Sequence, residues 1–542
     1  MNLLDLPYPS RRMPTVARRG VVATSQPLAA LAGLEILKAG GNAVDAAIAT
    51  AAMLTVVEPT SNGIGSDAFA LVWNGARVHG LNGSGRAPAA LTIDVVRSAG
   101  HTSVPARSWS AVTIPGAPRA WRDLHERFGR LAFGKVLEPA ITTAEEGYAV
   151  TPIVAHAWQR AAQLQAALVG QEFAPWFETF SVGGRAPAAG DVWRLPDHAR
   201  TLRRIAQTGS EDFYKGEIAS QIAAFAAKTG GFITEDDLAT HTSTWVEPIS
   251  TSYRGYDVWE IPPNGQGVAA LLALNILEGF DLASLKRESV EAYHLQIEAM
   301  KLAFADAHRY VADPEHAAVP TAGLLSKEYA AERRALIHDL ARAHEAGDPP
   351  KGGTVYLCTA DADGMMVSYI QSNYQGFGSG IVVPETGIAL QNRGACFRLD
   401  PDHLNALAPR KRPYHTIIPA FLTRDGKPVG PFGVMGGFMQ PQGHVQMVLN
   451  TVDWGLNPQA SLDAPRWQVT AGKEVLFESG VPGPIVEELG RRGHEVKVAA
   501  EQAAFGRGQI IWRREAWDNA QNGEATLIAG SDMRADGCAV GY

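Results

Sequence analysis

The chain changes texture at residue 353. Upstream, helical patterns dominate; downstream, short alternating strands separated by turn residues dominate. The joint is the breaker-rich run Asp348-Pro349-Pro350-Lys351-Gly352-Gly353, followed by the β-like Thr354-Val355-Tyr356-Leu357-Cys358. A helix-rich first part and a strand-rich second part confine the fold to the α+β class, with helices layered on antiparallel sheets. The joint also carries a chemical suggestion. A threonine hydroxyl is a weak nucleophile unless a base sits beside it. A cut before Thr354 would free an α-amino group on the same residue, and its reference pKa of about 7.7–8.0 suits a general base near neutrality. The expectation is that Gly353–Thr354 is cleaved autocatalytically and that Thr354 becomes an N-terminal nucleophile. Taken alone, a threonine between a loop and a strand is an ordinary feature, so the remainder of the chain decides.

Composition narrows the setting. The 542 residues are enough for a large core or several domains, and 46% hydrophobic with 19% charged residues is the profile of a globular protein. The net charge of -8 is spread out and there is no long basic run, which argues against nucleic acid as a partner. Cys358, Cys396 and Cys538 are odd in number and far apart, so a disulfide framework is not expected and a reducing compartment is. Met1-Asn2-Leu3-Leu4-Asp5-Leu6 lacks the basic-then-apolar order of a signal peptide, and no segment has the apolar length to span a bilayer. A cytoplasmic protein without a membrane partner is expected.

Local patterns place the elements. Ser25 is a candidate cap for a helix with Pro27 in its first turn and Leu28, Leu31 and Leu34 on one face, stopped at Gly40-Gly41. Asn42 opens an Ala-rich run, Ala43 to Met53, that reads as a buried helix. Phe69 to Trp73, Asn74-Gly75 and Arg77 to Leu81 read as a hairpin. The region from Gly134 to Thr240 is mostly helical, and Ser289 to Tyr310 is a helix with Val290, Tyr293, Ile297, Met300 and Phe304 on its apolar face. Asp361-Ala362-Asp363-Gly364 is a hairpin turn joining Val355–Thr359 to Met366–Gln371, and Arg424-Asp425-Gly426-Lys427 is a second. Counting back from the first turn puts Ser372 and Thr354 near the same end of paired strands.

Gly63-Ile64-Gly65-Ser66-Asp67-Ala68 matches G-x-G-x-x-A, but it follows a helix and opens a strand, the reverse of the dinucleotide-binding context, so that reading is rejected. His294 and Glu298 share a helix face, yet no HExxH or CxxC companion accompanies them, and ordinary helix residues are the simpler reading. There is no G-x-S-x-G elbow and no P-loop. Gly436-Gly437, in an apolar turn, could aim two N–H groups at a developing oxyanion. Arg393 and the pair His415-Thr416 supply cationic and hydroxyl donors, and a guanidinium suits a carboxylate by bidentate hydrogen bonding.

Taken in order, these residues and several further segments resemble the γ-glutamyltransferase family of N-terminal nucleophile hydrolases. The resemblance runs from Gly20-Val21-Val22-Ala23 to Gly541-Tyr542. It is carried by Gly40-Gly41-Asn42-Ala43-Val44-Asp45-Ala46-Ala47, Val57-Glu58-Pro59, Ile114-Pro115-Gly116-Ala117-Pro118, Pro409-Arg410-Lys411-Arg412-Pro413 and Asp463-Ala464-Pro465-Arg466-Trp467. The stretch Met435-Gly436-Gly437-Phe438-Met439-Gln440-Pro441-Gln442 is similar to a branch of bacterial glutathione-hydrolase-like proenzymes, and to an oxamate amidohydrolase. The resemblance implies a four-layer αββα sandwich made as one precursor. That precursor would be cut between Gly353 and Thr354 into a large subunit, 1–353, and a small subunit, 354–542, which stay together as one compact unit. It implies Thr354 as nucleophile, Ser372 as its hydroxyl partner and Gly436 and Gly437 as the oxyanion hole. Neither metal nor other cofactor is implied, and a higher oligomer is compatible with it.

The substrate subsite departs from the family pattern. Cys396 stands where the family has an acid for the substrate's α-amino group, Arg393 where it has glutamine, and Tyr374 where it has asparagine. Ser84 matches the family's carboxylate-binding arginine, with Arg86 two residues on; His415 replaces one of two serines and Thr416 keeps a hydroxyl. The resemblance implies a γ-glutamyl hydrolase/transferase acting on glutathione or related compounds through a threonine acyl-enzyme. One alternative is an amidohydrolase for another small acidic, oxamate-like amide that lacks the α-amine. A second is a non-catalytic homologue that is never processed.

Overall fold

The computed structural model describes residues 7, 8, 10, 12–343, 353–514 and 525–542. Two seven-stranded sheets, every strand pair antiparallel, form the middle of the molecule. The first runs, edge to edge, Cys538–Gly541, Gly20–Thr24, Gly353–Asp361, Met366–Tyr374, Asp67–Trp73, Val78–Gly83 and Thr244–Val246. The second runs Thr15–Ala17, Leu527–Ser531, Arg507–Arg513, Lys427–Met435, Ala420–Arg424, Tyr256–Glu260 and Ile249–Tyr253. Segments from both sides of residue 353 therefore contribute strands to both sheets.

The period of two along each strand assigns the layers. Tyr356, Cys358 and Ala360 face the second sheet together with Phe69, Leu71 and Ile370, and meet Phe421, Met435 and Ile511 coming from it. The alternate residues Val355, Leu357, Val367, Tyr369, Ala70 and Val72 pack outward against helices that include Ala43–Val57. On the far side, Ala420, Leu422, Phe432 and Val434 pack against helices Gly267–Leu277, Val290–Tyr310 and Met439–Val452. The order of layers is helix, sheet, sheet, helix, an αββα sandwich as expected. The sheets approach closely at one point: a Cβ on Gly433 would lie 2.6 Å from the Tyr356 ring, so only glycine fits there.

Most of the expected elements are present. Asn42 caps the buried helix in a reciprocal box with Asp45, and that helix runs one turn further than expected, to Val57. Ser289 caps the helix Val290–Tyr310. One cap differs. The first helix starts at Pro27 with Gln26 as its cap, because the Ser25 hydroxyl donates instead to Glu58 Oε2 at 2.5 Å. The Gly63–Ala68 turn does follow a helix and open a strand. Among the described residues no helix is long and apolar enough to cross a membrane.

Candidate active site

Thr354 enters the first sheet at the start of its strand. Gly353 is paired with Tyr374 and Val355 with Gln371, so two residues, Ser372 and Asn373, stand opposite the single Thr354. This bulge bends the strand end and re-aims its side chain. Thr354 Oγ1 comes to 3.1 Å from Ser372 Oγ, and Thr354 is 2% exposed in the uncut chain. By strand parity Ser372 faces the second sheet, as Met366 and Ile370 do. The junction residues Asp348 to Gly352 lie outside the described residues.

Ser372 Oγ accepts from the Tyr374 N–H at 2.8 Å and from Arg393 Nη2 at 3.2 Å. Both lone pairs are thus engaged, which makes Ser372 a hydrogen-bond donor. Arg393 also donates through Nη1 to Thr416 Oγ1 at 2.5 Å, and its guanidinium lies 4.3 Å from the centre of the Tyr374 ring. Tyr374 holds a φ of 74°, a left-handed conformation that is rare for an aromatic residue and turns its ring toward that cation. Arg393 is fully buried, and it forms no ion pair with a described carboxylate. Beside it, burial pushes the Cys396 thiol up, against the pull of Arg393. Cys396, Tyr414, Phe438 and His308 line a cavity of about 420 Å³ that reaches the surface here.

The paired glycines end the strand Lys427–Met435. Gly436 has φ 128° and Gly437 φ 64°, and the turn's own hydrogen bonds, from Met439 N to Gly436 O and from Gln440 N to Gly437 O, use their carbonyls. Gln266 ties this turn to the rest of the site. Its Nε2 donates to Thr416 O at 2.6 Å and to Gly437 O at 2.9 Å, while its Oε1 accepts from the Tyr414 hydroxyl at 3.0 Å. A continuous set of contacts therefore runs from Thr354 through Ser372, Arg393, Thr416 and Gln266 to Gly437.

His415 Nε2 lies 3.0 Å from Asp67 Oδ2, with both residues fully buried. Asp67 is the Cα partner of Ser372 in the adjacent strand and has the same facing. Burial pushes the Asp67 carboxyl up to about 7 against the opposing pull of Arg393, and burial with Arg393 and Arg412 holds the imidazole of His415 well below its ordinary value. Ser84 sits one step away. Its Oγ donates to Asn82 Oδ1 at 2.7 Å and accepts from Asn264 Nδ2 at 3.3 Å, and its carbonyl accepts from Arg412 Nε at 3.2 Å. It is tied to the site through Asn264, whose carbonyl accepts from the His415 N–H at 2.9 Å, and through the next residue, whose N–H donates to Asp67 Oδ1 at 3.0 Å. Arg86 turns away to Asp313, at 3.6 Å, and Glu315, at 2.9 Å.

Asp67, Gln266 and Gln391 belong to the site without being among the residues expected from the sequence. Gln391 accepts from the Arg393 N–H and donates to Thr113 O, which fixes the backbone beneath the guanidinium. Asp67 had one available signal: an acid at the first position of an all-buried strand needs a partner. His294, Glu298 and His494 do cluster, with ligand atoms within 4.8 Å of one another. Lys301 Nζ already fills the cluster, 2.7 Å from Glu298 Oε1 and 3.3 Å from His494 Nδ1, and His294 Nε2 reaches the His338 carbonyl at 2.7 Å. An ammonium in that position opposes a cation.

Residues 29–542 match the family model described as gamma-glutamyltranspeptidase. A glutathione hydrolase-like YwrD proenzyme of Bacillus subtilis (strain 168) is 37% identical, over 97% of this chain and 99% of its own length. An oxamate amidohydrolase proenzyme of Klebsiella pneumoniae subsp. pneumoniae is 34% identical, also over 97% of this chain and 99% of its own. Among solved structures, a cephalosporin acylase from Bacillus halodurans is 56% identical with a TM-score of 0.94, covering 100% of this chain and 99% of that one.

Proposed function

The chain belongs to the gamma-glutamyltranspeptidase family, and from that premise we propose that it is a self-processing amide hydrolase whose substrates carry a carboxylate on the acyl side and no α-amine. The family supports an enzyme with hydrolase or acyltransferase activity. The proposed precursor is cut between Gly353 and Thr354 into pieces 1–353 and 354–542 that stay together, a cut supported by the word proenzyme in the relatives' names. The Thr354 hydroxyl attacks the Gly353 carbonyl carbon, the acyl group moves from nitrogen to oxygen, and water hydrolyses the ester to leave a free α-amine.

In the processed enzyme that amine takes the hydroxyl proton as Thr354 Oγ1 attacks the substrate amide. The N–H groups of Gly436 and Gly437 hold the oxyanion, and the leaving amine departs with a proton. The Thr354 acyl-enzyme is then hydrolysed by water or passed to an acceptor amine, with Ser372 orienting Oγ1 throughout. The three free cysteines are consistent with work in a reducing cytoplasm.

One observation carries the substrate choice: Arg393 is a buried guanidinium next to Ser372 that forms no ion pair with a described carboxylate. A substrate carboxylate completes it. An α-ammonium would need an anion, but Cys396 occupies that place and the nearby Asp67 is engaged by His415. The name of the oxamate amidohydrolase relative points the same way, since oxamate is an amide bearing a carboxylate and no amine. The γ-glutamyl reading is the second choice, favoured by the glutathione hydrolase-like relative.

A panel of anilides tests this. Glutaryl anilide, with a carboxylate and no amine, should be turned over with a kcat/KM at least tenfold above that for γ-glutamyl anilide. The reverse order would establish the γ-glutamyl reading, and an uncut chain inert on both would establish a non-catalytic homologue.

A further inference from the structure

Arg393 forms no direct ion pair with a described carboxylate, yet one anion stands across the strand from its contact. Arg393 Nη2 donates to Ser372, and Asp67 is opposite Ser372 in the neighbouring strand, facing the same cleft between the sheets. We infer that Asp67 is the resident counter-anion of Arg393, and that a substrate carboxylate arriving at Arg393 takes over this role while Asp67 takes up one proton from solvent. The inference rests on the acidic-amide reading given above.

The charges in this buried space have to balance. Facing Asp67 are Arg393 and Arg412, the His415 ring, the Tyr214 hydroxyl, the N–H of Gly85 and the backbone of Gly116. Tyr214 donates to the Pro115 carbonyl at 2.9 Å, and burial raises it well above its ordinary range, so it stays neutral. Arg412 is shared with Glu315, at 3.3 Å. After processing, the Thr354 α-amine joins this set. An incoming carboxylate adds a second negative charge beside the first where water is excluded, and two such anions do not both stay ionised. The proton goes to Asp67 and not to His415, because burial and both guanidiniums hold that imidazole neutral. Asp67 already lies near the threshold, pushed up to about 7.

The arrangement couples specificity to pH. Below the Asp67 pKa the carboxyl is already neutral and a carboxylate binds without proton exchange. Above it, each binding event draws in up to one proton, and affinity falls by up to ~10-fold per pH unit until the pKa of the complex is reached. Asp67 is thus a positioning and charge-balancing residue that selects anions without touching the scissile bond.

Calorimetric titration of the processed enzyme with glutarate, the dicarboxylate product of a glutaryl amide, provides the test. Measured at pH 6, 7 and 8 in two buffers of different ionisation enthalpy, proton uptake should rise from near zero to near one per glutarate. Asp67→Asn keeps the acceptor for Gly85 and should abolish the part of the uptake not due to the Thr354 amine, flattening the KM-pH profile for acidic anilides. Glutarate binding with pH-independent affinity and no uptake in wild type would overturn the inference while leaving the acidic-amide reading intact, as would uptake unchanged in Asp67→Asn. Failure of glutarate to bind an enzyme that turns over γ-glutamyl anilides removes the reading and the inference together. Should Asp67→Asn not fold, wild type alone still exposes the inference to failure, since glutarate binding without proton uptake at pH 8 would overturn it.

Discussion

Thr354 Oγ1 and Ser372 Oγ meet at 3.1 Å because the strands that carry them slip by one residue between the Gly353–Tyr374 and Val355–Gln371 pairs. Without the slip, a two-residue period would set Thr354 against one partner in regular register. With it, the threonine is aimed at a hydroxyl whose lone pairs are filled by Tyr374 N and Arg393 Nη2. Thr354→Ala removes both nucleophile and proposed cleavage. On a denaturing gel it should remain one chain while wild type resolves into two, and amide turnover should fall by roughly 10⁴-fold or more, the scale seen on deleting a nucleophile. Two bands from the Thr354→Ala protein would place the cut elsewhere.

Ser372→Ala is the sharper probe of the contact. It leaves Tyr374 N and Arg393 Nη2 without their acceptor in a fully buried setting. An orphaned buried donor costs ~1–3 kcal/mol, so melting should occur several degrees lower. The nucleophile also loses its orienting group, and kcat should drop roughly 10–100-fold while KM for an acidic amide changes less. A change confined to KM would reassign Ser372 to substrate binding.

Gly436 tests the oxyanion turn. Its φ of 128° disfavours any side chain, and an added Cβ would lie 3.0 Å from Gly506 Cα and 3.3 Å from Met439 Cβ. Gly436→Ala should therefore shift the turn and misdirect its N–H. Loss of one oxyanion donor is worth ~3 kcal/mol of barrier, a fall in kcat of about 10²-fold. Single-turnover acylation measured by stopped flow separates this from slower deacylation; an unchanged acylation rate would remove Gly436 from the hole.

These features differ in how far the sequence announces them. The hairpin partners of Thr354 follow from the Asp361–Gly364 turn and a period of two, so the strand end holding Ser372 can be counted out by hand. The layer order is equally local, since Tyr356, Cys358 and Ala360 alternate with Val355 and Leu357 onto opposite faces. The bulge is invisible in the sequence, because nothing in Ser372-Asn373-Tyr374 marks the slip. Gln266 and Asp67 are missed for a different reason. They lie 150 and 348 residues from the groups they bind, Thr416 and His415, and only sheet closure brings them together. Ser25 is the candidate cap that the sequence offers, but Gln26 takes that place for the same reason, since Glu58, 33 residues away, claims the serine hydroxyl.

Acid should reveal a weakness built into the outer helical layer. His198 is 1% exposed, its ring 5.8 Å edge-on to Phe180, and its Nδ1 has no hydrogen-bond partner among the described residues. Burial lowers its pKa to about 4. The unfolded chain, with an ordinary histidine near ~6.5, binds the proton first as pH falls. The neutral ring's full contribution is present above that value and is lost as pH descends from about 6.5 toward about 4. Integrated over that window the loss is on the order of 3 kcal/mol. His241, His308 and His494 are lowered by the same cause and act in the same direction, whereas buried acids raised by desolvation, such as Glu58 and Glu260, act against it. One substitution isolates one contribution. His198→Leu keeps the apolar packing and cannot bind a proton, so its melting temperature should fall less than that of wild type between pH 7 and 4.5, with the two curves converging above pH 7. Parallel curves across the range would mean that His198 is already solvated in the native state.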